Sequence, residues 1–497
     1  MEIVMKNRSI RLLCSLLALF ILMSSLVIFT ACGESVENVE IPTGDTAAQT
    51  VPAGTNEEPE TQRIPQYESL EKEKFDREFV ILGRNDMLEE FEVEKINGEI
   101  LNDAVYDRNT VVSEDYDITL QILDGGDYLQ VNSTLTNQVS AGDDEYDAFI
   151  GHKVAFMDCA QQNYLYDLND VDTMNLSAIY WDQACRENLS LMGHNFMMTG
   201  DINPGSMLIS ACLVFNKDMN TELGKTPPYE MVDNGTWTLD TYLQEITGVS
   251  QDLNNDGVYS YKDDMFSTSI WRLDGAFSLF YGAGGMFVTI NEDNAPELSY
   301  DSERVIDIYE KLYDIVVSEN AFYLVDINSY GVNYDIFSEG RALYCDVTLN
   351  KISTFFDDME EPYGIVPVPK YDVAQDEYLS FVNGASPFMM LAQSEKDPEF
   401  VGTILEAMAA YNYDNITPKM FEIVTKLQSA RDPESSRMVD YIIRNRIYDF
   451  GYFIELGITN VVMNGLSDAK ETIASDLKSN GRQAEKALER LIRDFKD

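Results

Sequence analysis

Apolar and polar positions alternate with two different periods along the chain after about residue 75. Short apolar runs with strand character lie at Arg77–Gly83, Tyr116–Leu123 and Tyr146–Ile150. Amphipathic helical stretches lie between them, at Ile100–Val112 and Tyr128–Ala141. This order is typical of a βαβαβ unit, in which helices cover a parallel sheet. We therefore predict an α/β fold whose first lobe is built on a largely parallel sheet.

The loops that follow two of these strands are candidates for ligand binding. Asn85 and Asp86 follow the first strand, and His152 and Lys153 follow the third. Ligands of parallel sheets bind at the carboxyl ends of the strands. We therefore predict that these four residues line a ligand site. For His152, a loop histidine without any role is an equally good interpretation.

A change of character at Ala211–Asp240 predicts a passage between two lobes. Ala211–Phe215 is a short apolar run that stops abruptly in polar residues, as a buried strand does. A Pro-Pro break and a glycine turn follow, and then Thr238 or Asp240 provides a cap for a helix that runs through Ile246. One layered unit ends here and a second begins.

Aromatic and polar residues are mixed in the stretch Trp271–Phe287. Sugar rings lie on flat aromatic side chains, while their hydroxyls meet carboxylates, amides and guanidinium groups. Aromatic residues at helical spacing are also frequent in protein cores, so both interpretations stay open. The candidates for ligand contact are Trp271, Arg272, Asp274, Tyr281 and, further along the chain, Tyr452.

An Asp/Asn-rich turn after the crossing follows the spacing of a calcium loop, with Gly257 at the sharp bend. The alternative is a solvated loop between helices. Asp263 stands where a longer Glu is usual, and Asp264 is adjacent as a substitute. Bound Ca²⁺ would be structural. The predicted ligands are side-chain oxygens of Asp252, Asn254, Asp256, Ser260 and Asp263 and the carbonyl oxygen of Val258.

The first residues predict the compartment. A basic segment precedes the apolar run Leu12–Phe29, and Thr-Ala stands directly before Cys32. This pattern is typical of a lipoprotein signal peptide, residues 1–32, with Cys32 lipidated and palmitate among the expected acyl chains. An uncleaved membrane anchor is the alternative. Residues 33–75 are rich in Thr, Pro, Gly and Glu, so we expect a disordered tether.

The net charge and the cysteines bear on the possible partners, metal sites and disulfides of the protein. The formal net charge is −51, and no basic run compensates it, which argues against nucleic acid and anionic lipid as partners. After Cys32, four cysteines remain, without the spacing of a metal site. We favour four buried free thiols, with a Cys212–Cys345 disulfide as the alternative. The four are Cys159, Cys185, Cys212 and Cys345.

Several of these segments resemble one known family. The FNK at Phe215–Lys217, the WT-x-D helix start at Trp237–Asp240, LNDAVYDRN at Leu101–Asn109 and PYGIVPVPKYD at Pro362–Asp372 are similar to segments of extracellular solute-binding proteins (family 1) of ABC transporters. The similarity is to the sugar-binding lipoprotein type. It implies a type II periplasmic-binding-protein-like fold, with two α/β lobes, a multi-strand hinge and a ligand cleft between them.

The resemblance implies an organisation of the chain. Lobe 1 would comprise 76–213 and 345–392, and lobe 2 would comprise 214–344 and 393–497. The stretch around Ala342–Val347 corresponds to the second crossing. Pro362–Tyr371 and Tyr378–Ala392 would then complete the first lobe's sheet, with the prolines at 367 and 369 favouring an edge.

The resemblance also implies a function. A monomer anchored on the outer face of the cell membrane would close on a sugar or oligosaccharide and deliver it to an ABC permease. It would need no cofactor for chemistry. Two alternatives stay open: an extracellular carbohydrate-active enzyme, and a surface glycan-binding or sensory module without a permease. The sequence contains no G-x-S-x-G, HExxH or phosphate-loop motif, although its many carboxylates are compatible with a glycosidase.

Overall fold

The computed structural model describes residues 64–156, 162–423 and 432–496. The chain divides into two units, Met1–Gln62 and Arg63–Asp497, and every feature given below belongs to the second. The predicted signal peptide, the lipidation of Cys32, most of the predicted tether and Cys159 lie outside the described residues.

Strands and helices are interspersed along the chain. The strands are β1 Arg77–Gly83, β2 Ile118–Asp124, β3 Ala148–Gly151, β4 Ala211–Asn216, β5 Phe266–Trp271, β6 Val288–Ile290, β7 Pro296–Leu298, β8 Phe322–Leu324, β9 Ala342–Thr348, β10 Tyr363–Pro367, β11 Ser380–Phe381, β12 Phe388–Met390 and β13 Arg446–Ile447. The helices are α1 Ile100–Tyr116, α2 Tyr128–Ala141, α3 Gln183–Asn188, α4 Lys217–Glu222, α5 Tyr229–Asp233, α6 Leu239–Ile246, α7 Gly275–Gly282, α8 Glu303–Tyr313, α9 Val332–Ser338, α10 Leu349–Phe356, α11 Pro398–Asn415, α12 Pro433–Arg444, α13 Phe450–Phe453, α14 Asn460–Ser467 and α15 Ala474–Lys496.

The first sheet contains the predicted βαβαβ unit. Its strand order is β12-β3-β1-β2, and β1 is parallel to both β2 and β3. Strand β12 joins the edge in the antiparallel direction. The side chains of Phe79, Ile81 and Phe149 are fully buried, which is expected of a sheet that helices cover. The predicted parallel sheet is confirmed.

The second sheet is mixed and has the order β10-β4-β9-β5-β8. Strand β4 runs antiparallel to β9 and β10, whereas β5 runs parallel to β8 and β9. The assignment of Pro362–Tyr371 to the first sheet is wrong, because β10 pairs with β4, with Tyr363 opposite Asn216. Its prolines do favour an edge as predicted, since β10 has only one neighbouring strand.

Capping side chains begin several helices where the sequence predicts them. Thr238 accepts a hydrogen bond from the backbone of Thr241 and forms a capping box at the start of α6. Asp127 and Gln130 form a second box at α2. Ser302 accepts from Val305 at the start of α8. Each cap satisfies backbone N–H groups that the first helical turn leaves free.

The folded part begins before the predicted end of the tether at residue 75. Tyr67 lies in a short 3₁₀ turn and is buried. The backbone N–H groups of Gln66 and Tyr67 donate to the carboxylate of Asp414 at 2.8 to 3.0 Å. The Tyr67 ring packs against Tyr411 of α11. The Tyr67 ring and the Asp414 carboxylate thus attach this segment to α11. The mainly polar composition of the segment did not predict this attachment.

The described cysteines are free and buried, as the favoured interpretation predicts. They are Cys185, Cys212 and Cys345. On the paired strands β4 and β9, Cys212 lies opposite Val347 and Cys345 lies opposite Val214, so the two thiols are staggered by two residues and do not face each other. They pack as small apolar side chains in the core beside the second sheet.

No helix in the described part of the chain combines the length and the apolar character needed to cross a bilayer.

Trp237 joins the start of α6 to the second sheet. It is fully buried, and its Nε1 donates to the carbonyl oxygen of Pro367 at 2.9 Å. We predict that Trp237→Phe lowers the free energy of unfolding by about 1–2 kcal/mol more than Trp271→Phe does. Both changes remove an indole N–H, but the buried Nε1 of Trp271 has no hydrogen-bond partner among the described residues.

Chemical denaturation of both variants and the wild type measures this difference. Equal losses in the two variants would show that the Trp237 hydrogen bond contributes nothing beyond ring packing.

Candidate functional site

Side chains that follow strands of both main sheets contact one turn, Asn383–Ser386, which we call the junction turn. It lies between β11 and β12, where the chain returns to the first sheet. The turn is held internally, because Ala385 N donates to Asn383 Oδ1 at 2.9 Å and Ser386 N donates to Asn383 O at 3.2 Å. Side chains from both sheets converge on it.

A buried guanidinium group connects the end of β1 to the junction turn. Arg84 is 4% exposed, and its Nη1 donates to the carbonyl oxygen of Ala385 at 2.9 Å. Its Nε and Nη2 donate to the two carboxylate oxygens of Asp86 at 3.0 and 2.7 Å. This bidentate pair neutralises the buried charge and leaves the Asp86 side chain about half exposed. Asp86 therefore lies beside the cation that contacts the turn, and its role in ligand binding stays a prediction.

Lys153, after β3, reaches across the junction turn. Its Nζ donates to Glu455 Oε1 at 3.0 Å and lies 4.4 Å from the centroid of the Tyr452 ring. A Cβ atom on Gly384 would come within 2.2 Å of Lys153 Cδ, so a side chain at position 384 would require the lysine side chain to shift. The hydroxyl of Tyr452 accepts from Gly384 N at 3.2 Å. Lys153 and Tyr452 thus enclose the turn from two sides.

His152 lies beside this cation in a protected position. Its ring packs on Tyr128 with 4.5 Å between the centroids. Burial lowers its pKa to about 3, and the neighbouring charges of Arg84 and Lys153 add to this effect. The imidazole is therefore neutral at physiological pH and presents one donor and one acceptor nitrogen.

Trp271 and Asp274 form the wall on the side of the second sheet. Trp271 is the last residue of β5, its backbone N–H donates to Asp346 at 2.8 Å, and its ring meets that of Tyr330 at 4.7 Å. Asp274 precedes α7 and bonds to the Asn383 side chain. An aromatic pair and a carboxylate therefore stand next to the junction turn.

Burial controls the charge of the two carboxyl groups in this wall. Desolvation raises the pKa of Asp274 to about 6, although Asn383 and Lys351 oppose the change. Desolvation also raises the pKa of Asp346, and the nearby Asp274 charge adds to it. The side chain of Asp346 lies so close to Gly275 that a Cβ there would be 2.4 Å from Asp346 Cγ.

Three predicted ligand contacts lie away from the junction turn. Asn85 is exposed, and its backbone N–H donates to Gly126 O at 2.9 Å. Arg272 turns toward α14, where its Nη2 donates to Asn464 Oδ1 at 3.3 Å. Tyr281 is fully buried and stacks on Phe381 with 4.6 Å between centroids, so no ligand reaches it in this conformation. Tyr281 belongs to the core beneath the site.

Sequence reasoning missed four groups at the site: Asp346, Asn383, Tyr330 and Lys351. Two of them carried a signal. Asp346 is an acidic residue inside the otherwise apolar strand β9, and such a residue needs a local partner. Asn383-Gly384 is a frequent turn dipeptide. Tyr330 and Lys351 had no local signal, because only the packing of α9 and α10 brings them to the wall.

The predicted calcium loop is an exposed turn built by its own side chains. The Asp252 carboxylate accepts from Gly257 N at 2.7 Å, and Asp256 Oδ1 accepts from Val258 N at 2.8 Å. Asn254 Nδ2 donates to both Asp256 and Asp263, at 3.2 and 3.1 Å. These bonds draw the predicted ligands to one side of the turn. Ser260 lies at its end, where its Oγ accepts from Lys262 N.

Asp264, the predicted substitute for Asp263, has a different place. It is fully buried and accepts from the backbone of Leu253 and Ser260 at 2.8 and 2.7 Å. Within the described ranges, no group of three or more His, Cys, Asp or Glu residues is arranged to hold a metal ion. A calcium site here would therefore depend on amide, hydroxyl and carbonyl oxygens as well, and it stays a prediction.

No family model matches the chain, and no curated protein matches it either. Solved structures do match. The cyclic alpha-maltosyl-1,6-maltose binding protein from Arthrobacter globiformis has a TM-score of 0.56 at 14% identity, over 84% of this chain and 99% of that one. The ABC substrate-binding protein from Listeria monocytogenes in complex with cycloalternan has a TM-score of 0.52 at 13% identity, over 83% and 99%.

A third similar structure is the ABC transporter solute binding protein from Thermotoga lettingae bound with alpha-D-tagatose. Its TM-score is 0.52 at 14% identity, over 83% of this chain and 100% of that one. At such identities the likeness shows the fold. The predicted type II periplasmic-binding-protein-like α/β fold is thereby confirmed.

The raised pKa of Asp274 predicts a pH-dependent contribution to stability. The folded-state pKa of about 6 exceeds the ordinary 3.8, so the unfolded chain ionises first as pH rises. This group therefore lowers the free energy of unfolding between about pH 4 and pH 6, and the loss is complete above. The free energy of unfolding of Asp274→Asn, compared with that of the wild type, should therefore increase by on the order of 1–2 kcal/mol as the pH rises from 4 to 7.

Urea denaturation at several pH values measures this gain, with Asp293→Asn on an exposed hairpin as the matched control. If the two proteins differ in free energy of unfolding by the same amount at every pH, the raised pKa of Asp274 is contradicted.

The calcium loop predicts a second measurable effect. We expect millimolar CaCl₂ to raise the melting temperature and a chelator to reverse the change, because an ion bound to the folded state alone stabilises it by mass action. Asp256→Ala should abolish the response, whereas Asp293→Ala, in a similar exposed turn, should retain it. The same melting curve with and without Ca²⁺ in the wild type would refute the site.

Proposed function

We propose that this protein is an extracellular solute-binding protein that captures a sugar or oligosaccharide at the junction of its two sheets. We further propose that Cys32 anchors it by lipid to the outer face of the cell membrane and that it delivers the solute to an ABC importer. The observation that carries the proposal is the aromatic and polar wall at Trp271, on a fold that matches sugar-binding proteins of ABC transporters.

The chemistry of the wall suits a neutral polyhydroxylated ligand. The Trp271 and Tyr330 rings offer apolar faces to the C–H groups of a sugar ring. Asp274 and Asn383, directly beside them, provide acceptors and donors for hydroxyl groups. Tyr330 is 42% exposed, so this aromatic surface is open to solvent.

The connections between the sheets suit hinge closure. The chain passes from the first sheet to the second between β3 and β4, and it returns between β10 and β12. Helix α11 then packs on α1 and β1, while α12 packs on β10, so the chain crosses once more between these helices. We propose two lobes centred on the two sheets, which close on a solute and so produce a state that a permease recognises.

Capture without turnover is part of the proposal. The three similar structures are described as binding proteins. The contacts at the junction turn position groups for hydrogen bonding. Incubation with a panel of oligosaccharides followed by product chromatography separates this function from the enzymatic alternative, because hydrolysis or lyase products would overturn it. Uptake by membranes that carry a permease would separate import from a surface module without one.

The wall predicts which residue matters most for affinity. We expect Trp271→Ala to weaken the binding of the responding saccharide at least about tenfold, because loss of one aromatic platform costs about 1–2 kcal/mol. Arg272→Ala is the matched control. Arg272 is the next residue in the chain, but its side chain bonds to Asn464, so this substitution should change the affinity less than about twofold.

Isothermal titration calorimetry with maltose and maltotetraose, after a thermal-shift screen of further saccharides, measures both variants. Equal affinity of wild type and Trp271→Ala would place the ligand elsewhere and would refute the proposed wall.

A further inference from the structure

A second concave surface, which we call the polar pocket, lies apart from the junction turn. The segment Arg186–Asn195 forms one wall, and the hairpin of β6 and β7 forms the other. Its volume is about 570 Å³, which lies within the range of small-molecule sites. None of its lining residues belongs to the junction cluster described above.

Unused polar groups face this pocket. Ser190 lines the pocket and is 6% exposed as a whole residue. The side chains of Asn188 and Asn294 line the same space and are without a partner in the described ranges. These side chains offer donors and acceptors to a ligand, which would replace the water that they otherwise bind.

The wall that carries Ser190 is rigid. Asn195 is 4% exposed, and its Nδ2 donates to the carbonyl oxygen of Arg186 at 2.8 Å. Its backbone N–H donates to Asp167 at 3.1 Å, and Asn169 Nδ2 donates to Gly193 O at 3.2 Å. These bonds hold the loop in place before any ligand arrives, which reduces the entropy that binding costs.

The opposite wall supplies an apolar face. Met286, Val288 and Ile290 line it, and Val288 is almost fully buried. Among the charged lining residues, Arg186 and Glu187 balance each other. The remaining polar groups are amides and hydroxyls, which both donate and accept. This combination matches a neutral ring with hydroxyl groups on its rim and C–H groups on its face.

We propose that the polar pocket binds one saccharide unit, at a site separate from the junction turn. Ser190 and Asn188 bond to its hydroxyls, and the hairpin side chains contact its apolar face. The pocket would hold a second part of a long oligosaccharide or an independent glycan. This site does not require closure of the lobes, and it does not depend on the Trp271 wall.

Saccharide titration of the full chain tests this proposal, with maltose and maltotetraose as probes and calorimetric stoichiometry as the readout. Thr289→Trp places a bulky ring from an exposed position of β6 into the pocket. Thr119→Trp is the matched control, because Thr119 is exposed on the edge strand β2. Asn188→Leu removes one amide at similar volume, and circular dichroism verifies the fold of each variant.

We expect two sites in the wild type, of which Thr289→Trp removes one and Trp271→Ala the other. Asn188→Leu should weaken the pocket site at least about tenfold, and Thr119→Trp should change neither site. A single site that Thr289→Trp leaves intact would overturn the second site and keep the proposed function. A single site sensitive only to Thr289→Trp would keep the pocket and refute the junction site. No binding of either probe would overturn the pocket proposal.

Discussion

The close approach of Lys153 to Gly384 is the constraint on which the junction depends. The aliphatic part of Lys153 occupies the space that any Cβ at position 384 would need. Along this path the ammonium group reaches Glu455 and lies over the Tyr452 ring. A side chain at 384 would displace Lys153 and so change its contacts with Glu455 and the Tyr452 ring. The absence of a side chain at position 384 thus lets Lys153 pack directly against the junction turn.

The junction is held by polar contacts, and this determines how firmly it is held. Arg84 contributes one bond to the turn, Tyr452 accepts one from it, and Asn383 meets Asp274. Hydrogen bonds of this kind contribute about 0.5–3 kcal/mol each, the upper part of that range applying to charged groups. Their sum is small beside the burial of the apolar core on either side. In the proposed mechanism, a junction of this strength specifies one arrangement and still permits ligand-dependent movement.

The fold was predictable wherever local pattern determines structure. Strand β1 and helix α2 have the predicted limits, and Thr238 caps α6, because periodicity and capping act over a few residues. Strand β10 was assigned to the wrong sheet, since its partner β4 lies about 150 residues earlier and apolar character does not specify a partner. The start of the folded part was missed for the same reason, as Asp414 attaches Tyr67 across a long separation.

The site was predictable to the same extent. The strand-end rule depends only on the direction of the first sheet, and it selected Lys153, which packs against Gly384 of the turn. The ligand contacts it predicts for Asp86, His152 and Lys153 stay predictions. The rule also selected Asn85, which precedes Asp86 but is not in contact with the turn. Within Trp271–Phe287, composition could not separate Trp271 at the wall from Tyr281 in the core, since both are aromatic and only the packing of α7 distinguishes them.

The large negative charge of the chain does not imply that its candidate site binds cations. The formal charge is −51, yet two acidic groups beside the junction turn are paired with cations, Asp86 with Arg84 and Glu455 with Lys153. In the wall, burial raises the pKa of Asp346, which favours its neutral form. A protonated carboxyl group donates a hydrogen bond as well as accepting one, as a sugar hydroxyl requires. Local burial and pairing therefore make the candidate site compatible with the uncharged solute that we propose, although the chain as a whole is strongly acidic.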